Sequence, residues 1–315
     1  MIDGYIGYIA SVRRYSPRTQ QIYRDVLEQF ASSCDITDFS AVTSSHVRGY
    51  EMYLLDEKGL DARTVNLHLS VLSGFFRYLM HEGILESNPC RTVSRPKTGK
   101  RLADFYRQDA MEEYFKATQT YVTESDMGME ARYRKRLARL IISILYDTGM
   151  RRSELISLKR GDVDFTRRVA RVRGKGDKIR EIPLIPSLCE EISLYLQSVE
   201  SMEGCDTGPD APLLVTSKGK ALYPVYVDRT VKEELGSVAS ITGRKSPHVL
   251  RHSLATGLLN DGTDLNSIKE LLGHSSLAAT QVYTHNSIEK LKNVYDNAHP
   301  RAKSGGNNGD KNQIP

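Results

Sequence analysis

Several features that define whole classes of protein are missing from this chain of 315 residues. No apolar run approaches the roughly 18 residues that a membrane-spanning helix needs. The first residues, MIDGYIGYIASVRR, lack the basic start and apolar stretch of a secretory signal and are more typical of a short amphipathic helix. We therefore expect a cytoplasmic protein with no membrane partner.

Cysteine is also scarce, with four residues at positions 34, 90, 189 and 205. None forms a C-x-x-C pair, and no histidine lies at zinc-finger spacing from any of them. Disulfide frameworks and cysteine-based zinc sites depend on such spacings. Reduced structural thiols are expected instead, and the sequence predicts neither a metal nor another cofactor.

Positive charge is in only slight excess, since the formal net charge is +5, which by itself does not indicate a nucleic-acid partner. The basic residues are, however, concentrated in three clusters. These are Arg91, Arg95, Lys97, Lys100 and Arg101; Arg132, Arg134, Lys135, Arg136 and Arg139; and Arg167, Arg168, Arg171, Arg173, Lys175, Lys178 and Arg180. Any one cluster could be an ordinary solvated face. Three together favour DNA or RNA binding, because such clusters neutralise phosphates and release counterions.

Hydrophobic periodicity divides the chain into two parts. Residues 1–90 repeat apolar positions at helical spacing and predict a bundle of about four helices. Residues 91–104 are polar and basic and predict a linker, while the Gly- and Asn-rich residues 301–315 are expected to be disordered. Residues 105–300 predict a second domain, helical except for a small antiparallel sheet with a hairpin turn at residues 174–177. The predicted fold is thus mainly α in two domains.

Two polar pairs begin predicted helices. Ser246 and Pro247 suit the start of a helix, which places His248 and Arg251 on one face. Such a pair can hold a phosphate and move a proton, although a structural histidine is the commoner explanation of the pair alone. Arg151 follows the predicted helix stop at residue 149, with residue Glu154 three positions on. That glutamate could orient the arginine, or the two could form a surface pair of little value.

Three further residues could carry chemistry. Lys175 lies at the predicted hairpin tip between two glycines, where it could reach a DNA groove or merely aid solubility. His274 follows a helix that should end at Gly273, and Tyr283 lies in or just after the next short helix. A tyrosine hydroxyl has a pKa of about 10, so attack on phosphorus needs a proton acceptor and positive charge nearby. One tyrosine among 17 means nothing alone, but one beside two arginines and a histidine would.

Five segments, TGMRRSEL, GKGDKIREIPL, HVLRH, LLGHSS and TQVYTH, resemble in order the sequence boxes of the tyrosine recombinase (phage integrase) family. The resemblance is closest to its bacterial Xer recombinases and covers almost all of the second domain. The segment from Ser16 to Cys90 resembles, more weakly, the family's helical core-binding, SAM-like domain. Where the family's linker leads into a Leu-Pro pair, this chain instead reads RLADFYRQD. The resemblance implies six catalytic residues: Arg151, Lys175, His248, Arg251, His274 and the nucleophile Tyr283.

The resemblance also implies an activity. A family member cleaves and rejoins double-stranded DNA at a specific site through a 3′-phosphotyrosyl intermediate and a Holliday junction, without metal or ATP. Four protomers would assemble on the DNA, as one protein or as a pair of related recombinases, with a DNA translocase as a further partner. An Xer-type member would resolve chromosome dimers, in support of chromosome partition at cell division. The helix near residues 287–298 would dock in cis or on a neighbouring protomer.

Other functions stay open at this point. An integrase or transposase of a mobile element and a type IB topoisomerase would use similar residues, although a chain that starts directly in the helical domain favours the Xer architecture. A DNA-binding protein without catalysis belongs to a different class. A histidine-based metalloenzyme is disfavoured because HVLRH lacks the i, i+4 histidine pair of H-E-x-x-H. Nothing in the sequence identifies the DNA site.

Overall fold

The structure, a computed structural model, describes residues 1–99, 104–123, 128–174, 178–202 and 204–273, together with Tyr295, Ala298, His299 and Arg301. The chain divides into two compact units, Met1–Arg101 and Leu102–Pro315. Each unit has a hydrophobic core of its own. None of the helices in the described residues is long and apolar enough to span a membrane.

The first unit is a bundle of α-helices. They are α1 (Ile2–Ser11), α2 (Pro17–Ser33), α3 (Ser44–Met52) and α4 (Ala62–His81), with a π-helical turn at Tyr53–Glu57 and 3-10 turns at Phe39–Ala41 and Pro89–Thr92. Local chemistry explains where they begin: the Ser16 side chain caps α2, with Pro17 in its first turn, and Asp61 caps α4. The core is aromatic and centres on Phe30, Phe75 and Phe76, which are fully buried.

The segment that follows this bundle contacts it. Asn66 Nδ2 donates to the carbonyl of Pro96 at 2.9 Å, and Arg95 Nη1 donates to Ser70 Oγ at 2.8 Å. Arg95 and Pro96, which belong to the predicted linker, therefore lie against α4.

The second unit is also mainly helical. Its helices are α5 (Gln108–Ala117), α6 (Thr120–Thr123), α7 (Met129–Thr148), α8 (Arg152–Ser157), α9 (Pro186–Glu200), α10 (Pro224–Gly236), α11 (Pro247–Asn260) and α12 (Leu265–Leu272). The centre is α7, which contacts α9, α10 and α11. Its last turns are buried all round, as expected of a helix inside a core.

Residues near the C-terminus pack on α7. Tyr295 and His299 are buried. The guanidinium of Arg301 lies between the carboxylates of Asp147 and Glu191, with Nη2 at 2.7 Å from Glu191 Oε1. The end of α7 is thus held by an ion pair with a residue at the start of the segment predicted to be disordered, of which residues 302–315 lie outside the described residues.

A small antiparallel sheet completes the second unit. Strands β1 (Val163–Asp164), β2 (Val169–Arg173) and β3 (Ile179–Pro183) lie in chain order, and β2 pairs with β3 from Arg173 opposite Ile179 to Val169 opposite Pro183. The amide of Gly174 donates to the carbonyl of Lys178 at 2.8 Å and closes the hairpin. The prediction of a mainly α protein with a small antiparallel sheet in the second domain is confirmed.

Candidate active site

The site begins at the left-handed turn that ends α7. Gly149 has φ 59°, and a Cβ there would lie 2.6 Å from Leu272 Cδ2 and 3.0 Å from Leu254 Cδ2. Glycine is therefore required both for its backbone conformation and for the close approach of α11 and α12. The turn delivers Arg151 to the N-cap of α8.

Arg151 is held by the helix that it begins. Its backbone amide donates to Glu154 Oε2 and its Nη1 donates to Glu154 Oε1, both at 2.8 Å. The side chain of Arg151 is 33% exposed, whereas that of Glu154 is 3% exposed. The suggestion that Glu154 orients Arg151 therefore agrees with the geometry, and the carboxylate is buried rather than on the surface.

A second arginine shares this carboxylate. Arg180 Nη1 and Nη2 donate to the two oxygens of Glu154 at 3.0 and 2.9 Å. Burial opposes ionisation of Glu154, but the hydrogen bonds and charge of Arg180, together with the donors of Arg151, outweigh it and lower the pKa of the carboxyl. Glu154 is therefore a buried anion that pairs with two cations and neutralises part of their charge.

The role of Arg180 was not predicted from the sequence, where this residue falls in a basic cluster expected to contact phosphates. The alternation of the strand was the available signal, because Arg180 falls on the same face as Ile182, a core residue. Arg139, placed in another basic cluster, is likewise buried, with Nη2 at 3.1 Å from Glu191. Both arginines belong to internal ion pairs instead of a DNA-facing surface.

Arg251 enters the same region from α11. Its Nη1 donates to the Gly149 carbonyl at 2.6 Å and its Nη2 to the Leu272 carbonyl at 2.5 Å. Burial first, and then the charges of Arg151 and Arg180, lower the pKa of Arg251 to about 10. The guanidinium is still protonated near neutral pH, and its proximity to two other arginines creates a strongly positive site.

The three arginines meet at the end of α12. Arg180 Nε, Arg251 Nη2 and Arg151 Nη2 donate to the consecutive carbonyls of Leu271, Leu272 and Gly273, at 3.3, 2.5 and 3.1 Å. The last carbonyls of a helix lack intrahelical partners and carry partial negative charge. They therefore fix the arginines around the point where the chain continues to His274.

His248 lies in the first turn of α11, three residues before Arg251, with its side chain exposed. Partial desolvation, followed by the positive charges of Arg152, Arg251 and Arg244, lowers the pKa of His248 below its ordinary value of 6.5. Its imidazole is therefore neutral near pH 7 and able to accept a proton. Ser246 occupies the N-cap as predicted, although its side chain makes no capping hydrogen bond.

Of the six residues predicted to be catalytic, the structure brings Arg151 and Arg251 together and places His248 on the helix of Arg251. Lys175, His274 and Tyr283 lie outside the described residues. The residue before Lys175 is Gly174, which directly follows β2, and the residue before His274 is Gly273, which caps α12 in a left-handed conformation. Among the described residues, no group of three or more His, Cys, Asp and Glu side chains could hold a metal ion.

Both parts of the chain are similar to known protein families. The model of the phage integrase family matches residues 107–290, and that of the phage integrase N-terminal SAM-like domain matches residues 2–83. The chain belongs to the phage integrase family. The prediction of a tyrosine recombinase is thereby confirmed.

Named relatives align over nearly the full length. Tyrosine recombinase XerC of Bacillus licheniformis is 37% identical, with 96% of each chain covered, and XerC of Chlorobaculum parvum is 33% identical, with 96% of this chain and 94% of the relative covered. Among solved structures, XerH recombinase bound to palindromic difH substrate has a TM-score of 0.69 at 23% identity, covering 90% of this chain and 81% of the other. A lambda integrase dimer bound to a COC′ core site has a TM-score of 0.62 at 19% identity, covering 100% and 79%. At these identities the structures support the shared fold.

Proposed function

We propose that this protein is an Xer-type site-specific recombinase that cleaves and rejoins DNA through a covalent bond to Tyr283. The observation that carries the proposal is the convergence of Arg151 and Arg251 on the end of α12, directly before His274. Two fixed guanidinium groups at one point are suited to the non-bridging oxygens of a phosphodiester.

In this proposal the arginines stabilise the transition state. Negative charge builds on the non-bridging oxygens as phosphorus becomes five-coordinate, and donors already in place offset it without reorganisation. Arg151 is exposed enough to meet the phosphate directly. Arg251 donates to uncharged carbonyls in the DNA-free protein, with which an anionic phosphate competes favourably for its donors.

The remaining predicted residues complete the transfer. Tyr283 Oη attacks phosphorus and forms the 3′-phosphotyrosyl ester, while the bond to the 5′-oxygen breaks. The tyrosine proton passes to neutral His248, Lys175 protonates the leaving 5′-oxygen, and His274 donates a hydrogen bond to the phosphate. The ester retains the bond energy, so reversal of these steps reseals a strand without ATP. Because arginines supply the positive charge, no metal is needed.

The proposed setting follows from the relatives. The relatives reported above are XerC proteins, and the XerH and lambda integrase structures are bound to DNA sites. We infer that residues 1–90 bind DNA, residues 91–104 link the domains and residues 105–300 carry catalysis, in a cytoplasmic tetramer on a double-stranded recombination site. Resolution of chromosome dimers, with a related recombinase and a DNA translocase as partners, is the proposed role.

The test is covalent capture. A binding sequence is first selected from random duplexes, and a version nicked next to the cleavage position is incubated with protein in chelator. We expect a protein–DNA adduct that mass spectrometry maps to Tyr283. Tyr283→Phe should bind the duplex with unchanged affinity and form no adduct. An adduct that persists in Tyr283→Phe would assign the nucleophile elsewhere, and loss of the adduct in chelator would indicate a metal.

A further inference from the structure

Arg180 occupies a position that the proposed chemistry does not use. It lies on β3, five residues after Lys175, and its side chain is 6% exposed. All three of its guanidinium nitrogens donate to protein oxygens, two of them to the buried carboxylate of Glu154. A phosphate would have to displace a charged partner to reach Arg180, so a direct catalytic contact is disfavoured.

The contacts of Arg180 lead to three predicted catalytic residues. Through Glu154 it is linked to Arg151, since the same carboxylate accepts four hydrogen bonds, two from each arginine. A Cβ at Gly174, the residue before Lys175, would lie 3.4 Å from Arg180 Nη1. A Cβ at Gly273, the residue before His274, would lie 3.1 Å from Arg180 Nε. One side chain thus packs between the chain segments that lead to both residues.

We propose that Arg180 is a positioning residue, an inference that rests on the proposed function. It aligns Arg151 and fixes Gly174 and Gly273, the residues that precede Lys175 and His274. The two-pronged pair fixes the Glu154 carboxylate, which otherwise could rotate with Arg151. The bond to Leu271 ties β3 to the end of α12. Loss of Arg180 therefore loosens several groups at once, and misplacement by about 1 Å is enough to cost about 100-fold in rate.

The experiment uses full-length protein and the nicked duplex selected above. Single-turnover rates of adduct formation at saturating DNA, and dissociation constants, are compared for wild type, Arg180→Met and Arg180→Lys. We expect Arg180→Met to cleave about 100-fold more slowly with an unchanged dissociation constant. Arg180→Lys keeps the charge but not the fork and should fall between the two.

A matched control separates positioning from general stability. Arg160 is also nearly buried, donates to the Thr207 carbonyl at 3.1 Å and lies 3.8 Å from Glu200. Neither of these two partners, Thr207 and Glu200, is among the residues that contact Glu154. Arg160→Met should therefore cleave at the wild-type rate after correction for the folded fraction.

A neutral substrate provides a readout that a purely structural role would not move. A methylphosphonate at the cleavage position has one non-bridging oxygen fewer and no charge, so it gains less from a well-placed Arg151. If Arg180 acts through Arg151, the rate lost in Arg180→Met and Arg180→Lys should be clearly smaller on this substrate, as in Arg151→Ala.

Equal losses on both substrates, a loss in affinity alone, or an unchanged rate in Arg180→Lys would overturn the assignment. Should Arg180→Met be unfolded, the Arg180→Lys comparison decides. Failure of wild type to form any adduct would refute the proposed function instead, so the two failures are distinct.

Discussion

Arg151 caps α8 and Arg251 lies on α11, yet they donate to adjacent carbonyls at the end of α12, those of Gly273 and Leu272. Neither bond joins residues close in sequence. The helix end therefore acts as a common support, and its own position depends on the contact of Leu272 with the α7 turn at Gly149. Changes to that support are expected to alter the arginine geometry without removing either arginine.

Gly149→Ala tests the turn. The left-handed backbone alone costs an alanine about 1–2 kcal/mol, and the clash with Leu272 should add about 1–3 kcal/mol. Gly59→Ala is a matched control, because Gly59 has nearly the same φ, 60°, and a Cβ there meets nothing within 4 Å in the part of the chain that the structure describes. Denaturant unfolding should show the larger loss for Gly149→Ala. Equal losses would mean that α12 moves away freely.

Glu154→Gln tests the shared carboxylate. The change leaves the buried Arg180 and the partly exposed Arg151 without their anion, so the free energy of unfolding should fall by about 3–5 kcal/mol at neutral pH. Glu181→Gln is the control, because it breaks a more exposed ion pair, in which Glu181 Oε2 lies 2.9 Å from Arg167 Nη2. It should lower the free energy of unfolding by no more than about 1 kcal/mol.

At acid pH the free energies of unfolding of wild type and Glu154→Gln should become more similar. The pKa of Glu154 is lowered in the folded protein, so its stabilisation is complete above the ordinary glutamate value and disappears as pH falls through the folded one. Denaturant melts at a series of pH values measure this. A difference that is constant down to strongly acid pH would mean that the carboxylate carries no charge in the fold.

The ends of the helices and the hairpin could be predicted from the sequence because they depend on residues that are close together in the chain. A glycine ends both α7 and α12, and Pro247 is the first residue of α11. The pairing of Arg180 with Glu154 could not be predicted, since it joins residues 26 apart through the packing of a strand on a helix. A basic cluster in sequence does not show which of its members face inward. Arg139 and Arg180 do so because each finds a buried carboxylate, which only the tertiary fold supplies.

His248 offers a pH test in the DNA-free protein. Its lowered pKa means that protonation disfavours the folded state, so its contribution to stability is lost as pH falls below the unfolded value of 6.5. Histidine-selective NMR titration should give a value below 6.5. Among the charged groups, Arg152, which is paired with Asp228, lowers the pKa of His248 most. Arg152→Gln should therefore raise this pKa, while Arg160→Gln should leave it unchanged. No shift in Arg152→Gln would show that the charge of Arg152 does not contribute to the lowered pKa.

Arg151→Ala tests transition-state binding. Because the contact strengthens as charge develops on the phosphate, cleavage at saturating DNA should slow about 10²–10³-fold, while the dissociation constant changes far less. Affinity is best measured by fluorescence anisotropy in a Tyr283→Phe background, where no covalent product can form, and rate by quenched single turnovers with Tyr283 present. Equal losses in rate and affinity would make Arg151 an ordinary phosphate contact. The same measurements on Arg251→Ala would then show whether that arginine alone carries the developing charge.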